Sequence, residues 1–200
     1  MFKLKNKIFM YKSANKFKID QCNFYGSNLF FTDPYNGFNK VLEISKKYGY
    51  FFIHPFDGPF TLQGTASLGY EICNQIDKID NVIISVGGGG LISGVGSIIK
   101  QVYPKAKIIG VEPKGAKGLS DSLLKKYPLN NIKINTIADS LAAPLHMKYS
   151  FDVCKQVIDN MITVSDSEMI ESMRFMFENF KMMLEPACVA GIAALLGPLK

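Results

Sequence analysis

An α/β fold, built of parallel strands joined by crossover helices, is what this sequence predicts, and three observations carry it. Short β-rich apolar runs alternate along the chain with longer stretches of helical period. Four consecutive glycines, Gly87 to Gly90, stand between an all-apolar strand and an apolar helix. The 200 residues are 48% hydrophobic and 20% charged, the balance of a packed globular chain and not of a disordered tail. A chain of this size buries roughly 70% of its extended surface and needs no disulfide staple.

The pattern opens with KIFMY at 7–11, a helical stretch at 13–26, NLFFT at 28–32, a second helix from Gly37 and YFFI at 50–53, in the order β-α-β-α-β. Gly26 and Gly49 stand where a helix ends on a left-handed residue, and Ser13 and Asn36 suit N-caps. The turn-rich HPFDGP at 54–59 interrupts the alternation and is the best internal boundary. Beyond it the sequence predicts a helix over 61–75, the strand NVIISV at 81–86, a helix over 91–102 and the strand AKIIGV at 106–111. After Glu112 the pattern loosens, with one short helix over 119–126. It then resumes with a helix over 151–159, the strand MITV and a helix after Ser165. Ser165 and Glu168 form an S-x-x-E capping box. Met169, Met173, Met176, Phe180 and Met183 follow at helical spacing and predict a core face. The closing ACVAGIAALLG reads as a buried helix of small residues.

Charge and composition exclude several classes. The net charge of +6 is concentrated early, at Lys3, Lys5, Lys7, Lys12, Lys16 and Lys18, yet Arg174 is the one arginine in the chain. Arginine is the preferred reader of phosphates and base edges, so a solvated lysine face is expected and no nucleic-acid partner. Cys22, Cys73, Cys154 and Cys188 form no C-x-x-C pair, and the first eighteen residues hold no signal-like apolar core. A soluble protein of the reducing cytoplasm is therefore expected. The longest weakly polar stretch, 186–199, is shorter than the ~20 residues that cross a bilayer.

The glycine run is the most informative feature. Each glycine costs about 0.5 to 1 kcal/mol relative to alanine in a regular element, so four together mean that bare backbone is needed there. Glycines turn successive N–H groups toward one point and admit an anion without a Cβ in the way, and the following helix adds its unpaired amides and positive dipole end. The run therefore predicts a phosphate cradle. It is not a P-loop, because Gly89 and Gly94 have the spacing but Val95 follows where lysine is required. The fingerprint G-x-G-x-x-G fails in every register. Glu112, at the end of the next strand, is nevertheless placed like a ribose-binding acid, and a nicotinamide or flavin domain stays open as a rival.

HPFDGP, QGTASLGYEI, SVGGGGLISG, IIGVEP, TIADSLAAP, MITVSDSEM and LEPACVAGIAALLGPL follow one another here in the order seen in threonine and serine dehydratases. The chain resembles these fold-type II pyridoxal-phosphate enzymes, relatives of serine racemase and the tryptophan synthase β chain, over essentially its whole length. The resemblance implies a tryptophan synthase β-like fold. Residues 1–53 would be part of a small, substrate-closing domain, and 54–200 part of the large domain that binds the phosphate of pyridoxal 5'-phosphate. Gly87, Gly88, Gly89, Gly90 and the N–H of Leu91 would hold that phosphate. The implied reaction is β-elimination: a lysine Schiff base passes the amino acid to the cofactor, the α-proton and the β-hydroxyl leave, and hydrolysis yields a 2-oxo acid and ammonia. Threonine would give 2-oxobutanoate and serine pyruvate, in a homo-oligomer when full length.

The departures bear on function too. The family's Ser-x-Lys-x-Arg-like segment and its small-Gly-Gly-Asn turn are not in these 200 residues. The chain therefore reads as a fragment incomplete at both ends, with no catalytic residue of its own and no turnover expected from it alone. The positions that bind a divalent ion in serine racemase-like members are Glu112, Ala116 and Gly118 here, so no metal is expected. Asp139, Ser140 (where the family has glycine) and Glu185 are possible pocket residues. Glu185 could equally do no more than cap the helix that Pro186 begins. His54 is expected to be a structural hydrogen-bonder, and Gln63, Gly64 and Thr65 to be scaffold. Two alternatives stay open: a non-catalytic module that binds a phosphate ligand or a partner, and a serine racemase-like activity in the full-length relative.

Overall fold

The computed structural model describes residues 5–33 and 37–200. The chain divides into two compact units, Met1–Ile53 and His54–Lys200.

In the first unit, strands β1 (Lys7–Tyr11) and β2 (Asn28–Thr32) pair in parallel, with Lys7 opposite Asn28 and Tyr11 opposite Thr32. Helix α1 (Lys16–Phe24) makes the crossover. Its N-cap is Asn15 and not Ser13, because the chain first turns back on itself after Tyr11, where the Ala14 N–H donates to the Tyr11 carbonyl. The Asn15 side chain then accepts from the Phe17 amide at 2.9 Å. Asn36, the other expected cap, lies outside the described residues. Gly26 (φ +72°) follows α1, and Gly49 (φ +68°) follows α2 (Gly37–Tyr48), both as expected. The third expected strand, 50–53, does not form: it has no ladder partner among the described residues. Phe52 instead meets Phe38 of α2 edge-on at 5.8 Å. Nor is the lysine face wholly solvated, since the Lys7 ammonium lies 5.4, 4.6 and 5.0 Å from the rings of Phe30, Tyr48 and Tyr50.

The second unit is organised by a parallel sheet of order β3-β4-β5, formed by Asn81–Ser85, Lys107–Pro113 and Asn160–Val164. Asn81 lies opposite Lys107, and Ile109 opposite Asn160. Helix α3 (Pro59–Gln75) packs on α4 (Gly90–Val102), the crossover from β3 to β4. Then come α5 (Gly118–Lys125), α6 (Lys148–Val157) and α7 (Asp166–Phe180), and a 3-10 turn, Pro186–Val189, that runs into α8 (Ala190–Leu196). Alternating side chains of the strands feed two cores. Ile84 and Ile108 join Ile92, Val95, Leu119 and Phe151 on one side, while Val111 and Val164 join Met169, Val189 and Ala193 on the other.

The methionine stripe holds for only half its length. Met169 and Met176 are buried, but Phe180 is 60% and Met183 87% exposed. The helix stops where Lys181 adopts φ +58°, so the period has no backbone to continue on. At its start both halves of the capping box form: the Ser165 hydroxyl accepts from the Glu168 amide, and the Glu168 carboxylate accepts from the Ser165 amide at 2.6 Å. Ser165→Ala is expected to cost about 1 kcal/mol in urea unfolding. A midpoint unchanged from wild type would show the box to be energetically idle.

Candidate functional site at the glycine turn

At the C-terminal edge of the parallel sheet, where open α/β proteins take their ligands, β3 runs out at Ser85 and α4 begins at Gly90, one residue earlier than the sequence predicts. Gly89 takes φ +93° as the N-cap and offers no side-chain cap to the first turn. The amides of that turn have no carbonyl inside the helix to pair with. An N-cap of this kind leaves them for an external acceptor.

Three of the glycines are closely covered by what lies against them. A Cβ at Gly88 would stand 2.1 Å from Cγ of Phe56, one at Gly90 2.7 Å from the Phe56 carbonyl oxygen, and one at Gly87 3.0 Å from Cα of Leu141. Phe56 belongs to the turn at 54–58, which His54 ties together. The His54 Nδ1 accepts from the Asp57 amide at 3.0 Å and the Phe56 amide at 3.3 Å, and burial lowers its pKa against the pull of Asp57. His54 thus has the structural role expected of it. Asp57 in turn accepts from the Ser150 amide in the first turn of α6 at 2.7 Å.

Behind the turn lies a polar layer that the sequence did not announce. The Gly90 carbonyl accepts from the Thr65 hydroxyl at 2.9 Å, which gives Thr65 the scaffold role assigned to it. Gln63 and Gly64 are exposed, and nothing would meet a Cβ at Gly64. The Gly89 carbonyl accepts from the Ser93 amide at 3.0 Å and faces the Cys154 sulfur at 3.6 Å. That sulfur also meets the Ser93 hydroxyl at 3.1 Å, and burial pushes its pKa up to about 12, so it stays a thiol. His146 is 5% exposed, and burial lowers its pKa to about 4. No motif flags His146 or Cys154. Each is a lone residue in its stretch of sequence, and only folding brings Cys154 behind the turn.

Glu112 is not placed to read a ribose. It is fully buried, and its carboxylate accepts from the Leu119 amide at 2.7 Å and from the Ser120 amide and hydroxyl at 2.9 and 2.6 Å, capping α5. The dinucleotide rival loses its acid by this geometry. A side chain at Gly118 would collide with Ile132, with a Cβ 2.4 Å from its Cδ1. Among the described residues no group of three or more His, Cys, Asp or Glu is placed to hold a metal ion.

Asp139 and Ser140 open the 3-10 turn Asp139–Leu141, whose Leu141 backbone abuts Gly87. Glu185 precedes the turn Pro186–Val189, which packs on both β3 and the Asp139–Leu141 turn. The fold therefore brings the elements carrying all three to the strand end that bears the glycines. Glu185 is exposed and makes no side-chain cap.

The turn fits a phosphate monoester: its backbone is bare where a Cβ would clash, and its helix-end amides have no side-chain cap. The family described as pyridoxal-phosphate dependent enzyme matches residues 1–200. A phenylserine dehydratase of Ralstonia pickettii is 39% identical over 97% of this chain and 60% of its own length. An L-threonine dehydratase of Halalkalibacterium halodurans is 34% identical over 94% of this chain and 47% of its own. The processed form of threonine deaminase isoform 2 from Solanum lycopersicum superposes with a TM-score of 0.84 at 34% identity, over 94% of this chain and 55% of that one. Maize serine racemase superposes at 0.86 with 29% identity, over 96% of this chain and 58% of its own. The chain spans about half the length of the curated relatives it matches.

Proposed function

This chain belongs to the family of pyridoxal-phosphate dependent enzymes, and we propose from that premise that its glycine turn grips the phosphate of the cofactor in the service of a hydroxy-amino-acid dehydratase. The observation that carries the reading is the turn itself, with Gly89 at φ +93° opening a helix whose first amides no side chain caps. Bound pyridoxal phosphate supplies an electron sink for loss of a proton from an amino acid's α-carbon. The residues of this chain do the holding. The amides of Gly89, Gly90 and Leu91 and the positive end of α4 bind the dianion, while Phe56 and Leu141 fix the path of the glycine backbone. Asp139, Ser140 and Glu185 are assigned to the surrounding pocket, because their turns pack at this strand end. Residues 54–200 would thus form part of the cofactor-phosphate unit, and 1–53 part of the substrate-closing one.

Threonine or serine is the proposed substrate class, supported by the relatives named for threonine and phenylserine. A homo-oligomer in a reducing cytoplasm completes the reading, and four unbridged cysteines accord with such a compartment. No helix of the described residues is long and apolar enough to cross a membrane.

Titration of the chain with pyridoxal 5'-phosphate and with pyridoxal tests the site. The phosphorylated form is expected to bind at least about tenfold more tightly and to be displaced by inorganic phosphate. Equal affinity for the two vitamers refutes the site. The activity is tested on the enzyme expressed from its complete gene with cofactor bound, which is expected to release 2-oxobutanoate from L-threonine or pyruvate from L-serine. Absence of both products refutes the assignment.

A further inference from the structure

The glycine turn runs between two walls. The Cβ directions of Gly88 and Gly90 lead to the ring and carbonyl of Phe56, while that of Gly89 between them leads to α6, 3.0 Å from the Cys154 Sγ and 4.0 Å from the Ser150 Cβ. Ser150 is the third residue of α6. The amides of a helix's first turn have no carbonyl inside the helix to pair with, and the N-cap side chain ordinarily accepts from the second or third of them. Met147 holds the N-cap here and makes no side-chain cap, its thioether being a weak acceptor. The Ser150 amide donates instead to the Asp57 carboxylate at 2.7 Å, across 93 positions of chain. Asp57 therefore does for α6 what an N-cap side chain does, and it is the residue next to Phe56.

We propose that Asp57 is a positioning residue of this site: by bonding one wall to the other it holds the glycine backbone between them, and so keeps the amides of Gly89, Gly90 and Leu91 turned toward one anion. Three further observations support it. The segment that carries Asp57 is braced at its other end, where the His54 Nδ1 accepts from the Asp57 and Phe56 amides and the His54 carbonyl accepts from the Thr61 hydroxyl of α3 at 2.7 Å. A pull on the carboxylate is thus passed to Phe56. The α6 wall is joined to the glycines as well: the Ser93 hydroxyl donates to the Ser150 carbonyl at 3.1 Å, and the Ser93 amide to the Gly89 carbonyl at 3.0 Å. Polar contacts therefore run without a break from Asp57 through Ser150 and Ser93 to Gly89. Finally, Ser150 is fully buried, where an amide without an acceptor is costly, so the two walls close together. The charge of Asp57 would by itself repel a phosphate, and the positive end of α6 offsets it.

The inference rests on the turn being a phosphate site, and one set of measurements separates the two. Inorganic phosphate is titrated into the full chain by calorimetry, and stability is followed by urea unfolding. Asp57→Ala is expected to bind phosphate about tenfold more weakly than the wild type where both are folded, because the binding-competent path is then held by only about a tenth of the molecules. Asp57→Asn, whose side-chain oxygen can still accept from the Ser150 amide but carries no charge, is expected to stay within about threefold of the wild type. Phosphate bound as tightly by Asp57→Ala as by the wild type, with only the urea midpoint lowered, overturns the role of Asp57 and leaves the phosphate site standing. Tighter binding by both variants shows that the carboxylate acts by its charge alone, and overturns that role too. A wild type that takes up no phosphate overturns both readings. Should Asp57→Ala fail to fold, hydrogen exchange of the wild-type Ser150 amide decides. Coupling between the clamp and the anion is reciprocal, so saturating phosphate is expected to slow that exchange about tenfold. An exchange rate that phosphate leaves unchanged overturns the proposal.

Discussion

Gly94→Ala is expected to destabilise the larger unit by about 3 kcal/mol or more, the upper end of what overpacking costs. The new Cβ would stand 2.0 Å from the Thr65 hydroxyl oxygen, 2.6 Å from the Leu62 carbonyl oxygen and 2.7 Å from the Ala66 nitrogen, all in α3. Two of these are backbone atoms of a helix and cannot swing aside. The third belongs to the side chain that holds the Gly90 carbonyl, so α3 must retreat from α4 and release the glycine turn as it goes. Loss of phosphate binding should therefore accompany loss of stability. Gly64→Ala is the control: it lies in α3, the helix that Gly94→Ala would displace, nothing would meet its Cβ, and it is expected to be neutral or to stabilise by up to about 1 kcal/mol. Equal urea midpoints for the Gly94 variant and the wild type would show that the two helices do not approach this closely.

The second large effect is on the pH dependence of stability. Burial raises the Glu112 pKa from 4.5 to about 7, against the hydrogen bonds from Ser120 and Leu119. Between those two values the folded chain holds a proton that the unfolded chain has released. The stabilisation is therefore complete below about pH 4.5 and is lost as pH rises through about 7. The gap is worth about 3 kcal/mol. His146 works in the opposite sense: its pKa falls from 6.5 to about 4, so its contribution grows as pH rises across that interval. The two offset each other in the wild type, and His54, whose pKa burial also lowers, leaves a shallow net rise of stability with pH across that interval. Glu112→Gln removes one arm. Its stability should rise with pH more steeply over the same interval, displaced by a constant loss from the altered cap on α5. A Glu112→Gln profile parallel to the wild type, measured by urea unfolding from pH 4 to 8, would mean that the carboxylate does not titrate there.

Much of this molecule was legible from local pattern. Period 2 and period 3.6 set out the parallel strands and crossover helices of 81–113, because a strand between two helices must be apolar on both faces. The glycines at 87–90 announced a bare-backbone turn, since no other residue takes φ +93° without strain or lets Phe56 come so close. Ser165 and Glu168 announced their capping box because both partners lie within one turn of helix. The failures occurred where a partner lay outside the element itself. The run at 50–53 has the composition of a strand, yet a strand exists only through a neighbour. Glu112 stood at a strand end like a ribose acid, yet α5, starting six residues later, had already claimed its oxygens.

What the sequence determined by itself is therefore the α/β class, the place of the bare glycine turn and the family. These depend on contacts within a strand, a turn or a helix. The tertiary structure alone decided which side chains stand behind the turn, because Thr65 and Cys154 reach Gly90 and Gly89 across 25 and 65 positions of chain. Such contacts leave no periodicity to read: a hydrogen bond to a backbone carbonyl asks only for a donor at the right point in space, and packing supplies that point.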